Sequence, residues 1–173
     1  MIRRDDPPSL LAYYTPGVLP GRASPMVRGQ VVRQGYAYWC ARQRPGRLPS
    51  RRDIDPVALR GLLPQVLLLD VQCEPWDFRF RLIGGNLLYH LGADWTGEWM
   101  TRVPETRPPN GLFDSCCQVA RSGQPHRGCT PFSGWHPAIR QCDGVILPLA
   151  ADGRQPDTLL LFVEFVAAPC APR

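Results

Sequence analysis

The chain has 173 residues, 44% hydrophobic and 20% charged, with a formal net charge of +5 at pH 7. That length and apolar share suit one globular domain with short extensions and a real core. The charge is mild and spread along the chain, and every basic residue is arginine; the seven cysteines are odd in number and lack CxxC spacing, so a secreted disulfide framework is not expected.

Residues 1–26 are rich in proline, glycine and charge and read as a flexible N-terminal tail, in which Leu10, Leu11, Tyr13 and Tyr14 have the apolar surface to dock. Residues 27–63 form an N-terminal helical extension. Val27 to Arg44 has no proline; Val27, Val31, Gln34 or Gly35, and Tyr38 form one face, which Val32, Tyr36 and Trp39 broaden, with Ser24-Pro25 as a start signal. Two uses of this helix compete: packing on its own domain, or pairing with a second copy in a homodimer. Arg42 to Arg52 places five arginines among prolines. Guanidinium groups suit phosphate, but nothing aromatic interleaves with them, so the stretch reads as a solvated linker and a nucleic-acid partner is not expected. Asp55-Pro56 then signals a short helix over Val57 to Leu63, since the carboxylate caps free N–H groups and proline fits the first turn.

Residues 64–167 carry the remaining elements. Val66 to Val71 is a branched apolar run suited to a buried strand. Gln72 to Asp77 holds turn residues. Phe78, Phe80 and Leu82 alternate with Arg79 and Arg81, a period of two that predicts a half-buried antiparallel strand. Gly84-Gly85 ends it, Asn86 to Leu91 reads as a short helix, and Gly92 and Gly97 bracket a loop. Thr101 to Asn110 is a proline-rich loop. Gly111 to Arg121 is helical, with Leu112, Cys116 and Val119 on one stripe and Phe113 and Cys117 on a second. His126 to Phe132, Ile139 to Leu149 and Asp157 to Phe165 read as strands, the last two joined by a hairpin at Ala150 to Arg154. Residues 168–173 are a C-terminal tail. The longest apolar run, Thr158 to Ala168, is interrupted by Glu164 and is too short to span a bilayer; with no signal-type start, a reduced, cytoplasmic protein is expected.

The stretch Leu63 to Trp99 resembles a PAS domain, and within that group the PAS_5 family of small bacterial PAS-only proteins. The resemblance rests on Leu63-Pro64 followed by Leu68-Leu69-Asp70-Val71, on Phe80-Arg81-Leu82-Ile83-Gly84 and on Gly92-Ala93-Asp94-Trp95-Thr96-Gly97-Glu98. It is extended by Leu48-Pro49-Ser50-Arg51, Asp53-Ile54-Asp55-Pro56, Gly123-Gln124-Pro125 and Leu147-Pro148-Leu149, and covers roughly Tyr38 to Phe165. It implies an α/β (α+β) fold: a five-stranded, mostly antiparallel sheet with helices on one face, plus the N-terminal helix. The first and last strands lie side by side, so Val66 to Val71 should neighbour Leu159 to Phe165. It also implies a sensory or regulatory module that binds a small apolar or amphipathic ligand and signals through a protein partner. Phe80, Leu82, Leu87, Leu88, Leu91, Trp95, Phe113 and Cys117 are the expected lining of the pocket; a scaffold whose pocket these residues simply fill is the alternative.

Other chemistry is thinly supported. His126, Cys129, His136 and Cys142 are zinc-binding types, but their spacing is not that of a zinc site. His90 falls where haem ligation is conceivable, yet a lone histidine more often has its hydrogen bonds met within the fold. No nucleophile–base pair has a third group to orient it. The sequence therefore names no metal, no cofactor and no enzymatic activity.

Overall fold

The computed structural model describes residues 16–18, 29–131 and 139–167. Its centre is an antiparallel sheet. Strands β2 (Val66–Gln72) and β3 (Asp77–Ile83) are joined by the predicted turn, and β4 (His126–Pro131), β5 (Ile139–Leu149) and β6 (Thr158–Ala167) follow two helices. Short strand β1 (Pro16–Val18), inside the stretch expected to be tail, pairs with β4 and completes the order β1-β4-β5-β6-β2-β3. Val66 lies opposite Phe162 and Asp70 opposite Thr158, so the first and last strands of the PAS-like core are neighbours as expected. Neither lateral edge is bare. β1 covers part of β4, and Gly97, Glu98 and Met100 exchange backbone hydrogen bonds with Phe78 and Phe80 of β3, which limits edge-to-edge association.

The alternation of the central strands feeds two cores. Leu67 and Leu69 of β2, with Leu159 and Leu161 of β6, face helices α2 (Gly85–Leu91) and α3 (Gly111–Ser122). Val66 of β2, with Leu160 and Phe162 of β6, faces the other way, where helix α1 (Gln30–Cys40) and Leu59 cover them. Helices thus lie against both faces, with α1 opposite α2 and α3. Its buried residues Val32, Gly35 and Trp39 sit on β5 and β6. This is the first of the two uses expected of the helix. Trp39 Nε1 donates to the Pro148 carbonyl at 2.9 Å, and Glu164 Oε2 accepts from the Val31 N–H at 2.9 Å, meeting one of the free donors of the helix N-terminus.

Two local expectations are corrected. Val57 to Leu63 is not a helix. Asp55 does cap Val57 N–H at 2.8 Å, but the bonds that follow mix three- and four-residue spacings, and only a 3-10 turn at Leu63–Gln65 is regular. Leu82 does not share a face with Phe80. Leu69 is opposite Phe80 and Leu68 opposite Leu82, so Arg81 is an extra residue and β3 carries a bulge. Beyond it the alternation is inverted: Leu82 is 42% exposed and Ile83 is buried.

The loop before α3 is tied down by polar groups. Asn110 Oδ1 accepts from Leu112 N–H at 2.9 Å and from Phe113 N–H at 3.4 Å, while its Nδ2 donates to the Glu105 carbonyl at 2.8 Å. Asn110→Ala is expected to cost about 1–2 kcal/mol, the range of a lost N-cap, read as a shift of the urea midpoint at constant slope. A loss below about 0.5 kcal/mol would mean that water replaces the cap.

Candidate functional site

The expected lining can now be placed. Phe80, Leu87, Phe113 and Cys117 are buried in the core between the sheet and the α2–α3 side, and Leu88, Leu91 and Trp95 pack against it while partly exposed. Seven of the eight residues therefore meet on one face, and Leu82 is the exception. Phe78 and Phe113 meet edge to face with centroids 5.4 Å apart, and Phe80 lies 5.5 Å from Trp95.

Around them stand residues the sequence reading did not name as lining: Ile83, Met100, Val103, Ile146, Val163 and Phe165. Ile83 was missed because unbroken alternation was assumed. Val103 sits in the proline-rich loop and Met100 just before it, and both are buried; Asp77 holds the start of the loop, its Oδ2 accepting from Thr101 Oγ1 at 2.6 Å and its Oδ1 from the Thr101 N–H at 3.3 Å. An aspartate facing a threonine 24 residues away leaves no mark in a linear pattern.

The layer has a fully buried part and a half-buried part. Phe78, Phe80, Met100, Leu112, Cys116 and Ile146 are all but fully buried. At α2 the packing loosens. Of its seven residues only Leu87 is buried; Leu88, Leu91, Trp95, Val163 and Phe165 form a half-buried rim. The His90 ring lies 4.1 Å from that of Phe165, which sets α2 beside the C-terminal part of β6. Gly92, with φ of 70°, ends the helix in the left-handed conformation.

Along α3 an open groove of about 590 Å³ runs past Trp76, Phe113, Asp114, Cys117 and Arg121, with the Arg121 guanidinium 5.5 Å from the Trp76 ring. The thiols here are not activated. Burial, reinforced by Cys117, pushes Cys116 well above the ordinary thiol range; burial also raises Cys117, with Arg121 opposing. Both shifts favour the protonated thiol over the nucleophilic thiolate.

The metal ligands considered from sequence are not brought together where they can be seen. His126 pairs in register with Ile146 and Cys142 with Thr130, four positions apart along the strands and so about 13 Å. His136 and the Cys129 side chain lie outside the described residues. Among the described residues no group of three or more His, Cys, Asp or Glu could hold a metal ion. Burial lowers the His126 pKa, the direction that keeps its imidazole neutral. No described helix is long and apolar enough to cross a membrane.

Comparison with known proteins agrees with the resemblance drawn from the residues: the PAS_5 family model, a PAS domain, matches residues 27–105. The match runs from the α1 side of the sheet through β2, β3 and α2 into the loop that holds Val103. No curated protein and no solved structure matches.

Proposed function

We propose that the chain, whose residues 27–105 match the PAS domain family, is a sensory or regulatory module. In this reading it takes a small apolar or amphipathic ligand beneath α2 and signals through contacts with other proteins. The family match supports regulation in general. The ligand reading rests on one observation: beside the fully buried part of the core, the residues packed at α2, namely Leu88, Leu91, Trp95, Val163 and Phe165, are only half-buried. An isolated helix of seven residues is far below the length that is stable in water, so α2 holds its place only by packing and can yield to a ligand. In this reading the module acts by binding rather than by chemistry.

Mass spectrometry of an organic extract of the freshly purified full chain tests this. The expected result is one small molecule near stoichiometry, lost from Leu91→Trp while far-UV circular dichroism is unchanged. An extract with no ligand, from a protein that is stably folded, would reject it.

A second reading, a scaffold with a filled pocket, is favoured by the near-complete burial of Phe80, Met100 and Cys116 in the same layer. It predicts the empty extract, and overpacking by Leu91→Trp of about 1–3 kcal/mol. In either reading the partners include a second copy, met through the outer side of α1, where Tyr36 is 37% exposed and stacked on Trp39. Light scattering should report a dimer for the full chain and a monomer for Tyr36→Arg; a monomeric full chain would remove the second copy from the reading.

A further inference from the structure

Counted by layer, the charge of this protein is concentrated, not spread along the chain as expected from the linear reading. Residues 29–63, which form the α1 side of the molecule, hold seven arginines and two aspartates. That excess of five equals the formal charge of the whole chain, so the remainder is balanced by the same count.

The layer gathers these groups in space. Tyr38 Oη accepts from the Asp55 N–H at 2.7 Å, and Arg42 Nε donates to the Asp53 carbonyl at 2.9 Å, tying the end of α1 to the 53–55 turn. The neighbouring carboxylates keep their charge but are engaged by backbone N–H groups rather than by Arg51, Arg52 or Arg60. Asp53 accepts from the Ser50 N–H at 2.8 Å, Asp55 from the Val57 N–H at 2.8 Å, and Asp152 of the adjoining hairpin from the Arg154 N–H at 2.7 Å. The nearest ion pair is Arg44–Asp53 at 3.9 Å, on exposed side chains. Arg51, Arg52 and Arg60 are exposed and have no side-chain hydrogen bond or ion pair among the described residues. Between Arg52 and Arg60 in the same segment, Val57 is 72% exposed, the most exposed of the large hydrophobic side chains described.

From this arrangement we infer that the surface of Arg51, Arg52, Val57 and Arg60 docks an acidic protein segment that also presents apolar side chains. The inference deepens the proposed function, and rests on the reading of the chain as a module that works through protein contacts. Two observations select protein over nucleic acid. A single-strand binder offers aromatic faces for bases, but here the Arg42 guanidinium covers the Tyr38 ring at 3.3 Å and Tyr36 is stacked on Trp39. A duplex backbone offers nothing to Val57, whereas an amphipathic acidic segment meets both the valine and the guanidinium forks. One exposed valine is also too little apolar surface to anchor the face in a bilayer.

The test is a titration of the isotope-labelled full chain with a synthetic amphipathic peptide of glutamate and leucine, followed by NMR. Duplex DNA and phosphatidylserine vesicles are tested in parallel. The peptide is expected to move the signals of Arg51, Arg52, Val57 and Arg60, and to bind more weakly as salt rises. The double variant Arg51→Glu/Arg52→Glu should weaken binding about tenfold or more, Val57→Asp should also weaken it, and Arg107→Glu, in an exposed loop, should not. The inference is overturned if the peptide does not bind, if the double variant binds it unchanged, or if DNA or vesicles bind this face more tightly. Because ligand content is read separately from the extract, a chain that carries a ligand yet ignores the peptide would sink this inference alone. A chain with neither would sink the parent reading too.

Discussion

Trp39→Ala is expected to lower the stability of the full chain by about 3–5 kcal/mol, the cost of emptying a large aromatic site in a packed core. Trp39 is 2% exposed and occupies the centre of the layer between α1 and the sheet, with Val32, Leu147 and Phe162 in the same cluster. Its loss removes apolar burial, leaves a cavity and takes the indole donor from the Pro148 carbonyl. Small domains are stable by about 5–15 kcal/mol in total, so the variant should sit near its unfolding transition in mild urea. Trp39→Phe should recover most of the packing but not the hydrogen bond, and fall between the two. The measurement also decides what α1 is. A loss under about 1.5 kcal/mol, well short of the core range, would mean that α1 is a separable arm. The full loss would mean that any second copy meets the outside of a helix already used by its own domain.

How much of this could be read from residues alone depended on how local the cause was. β5 was placed at Ile139 to Leu149 and found there, because an apolar run between a loop and an Asp-Gly hairpin is bounded by its own chemistry. The neighbouring of β2 and β6 came from the resemblance, since no local signal states which strands pair. Leu82 was misplaced because a bulge is set by what the partner strand needs: Leu68 and Leu69 fix the register, and the extra residue falls on Arg81, whose Nη1 then reaches Asp70 Oδ2 at 3.0 Å. The β1 strand was missed because three residues amid prolines carry no period. The stripe of α1 was correctly read as apolar, but its destination was not legible. A helix face does not say whether its own sheet or another molecule covers it; Gly35, on that face, holds the answer, since a Cβ there would run into the Phe162 ring, so the glycine marks where the helix backbone comes close to the strand.

The two glycines that end β3 should respond to alanine in opposite directions. Gly84 is buried, with φ of −65° and ψ of 150°, a conformation any residue can adopt, so its reason is space rather than backbone freedom. A Cβ on Gly84 would collide with the backbone carbonyls of Leu63 and Pro64 in the 3-10 turn beneath it. Those atoms cannot rotate away as a side chain would. The Gly84 N–H is also fixed by the Val66 carbonyl at 2.8 Å, and its own carbonyl accepts from the Leu88 N–H at 3.0 Å. Gly84→Ala must therefore push apart the end of β3 and the turn before β2, at a cost of about 3 kcal/mol, the upper end of ordinary overpacking. A Cβ on Gly85, one residue on, meets nothing within 4 Å. Gly85 is the first residue of α2, and Gly85→Ala should stabilise the chain by about 0.4–1 kcal/mol by narrowing the unfolded ensemble. Paired urea denaturation curves read both signs at once, and equal responses at the two positions would contradict the close approach of Gly84 to that turn. The pair also bears on function. Gly84 fixes where α2 leaves the sheet, whereas Gly85 sets only how readily α2 forms. A ligand held beneath α2 should therefore be lost from Gly84→Ala even under conditions where the variant remains folded, and be retained by Gly85→Ala.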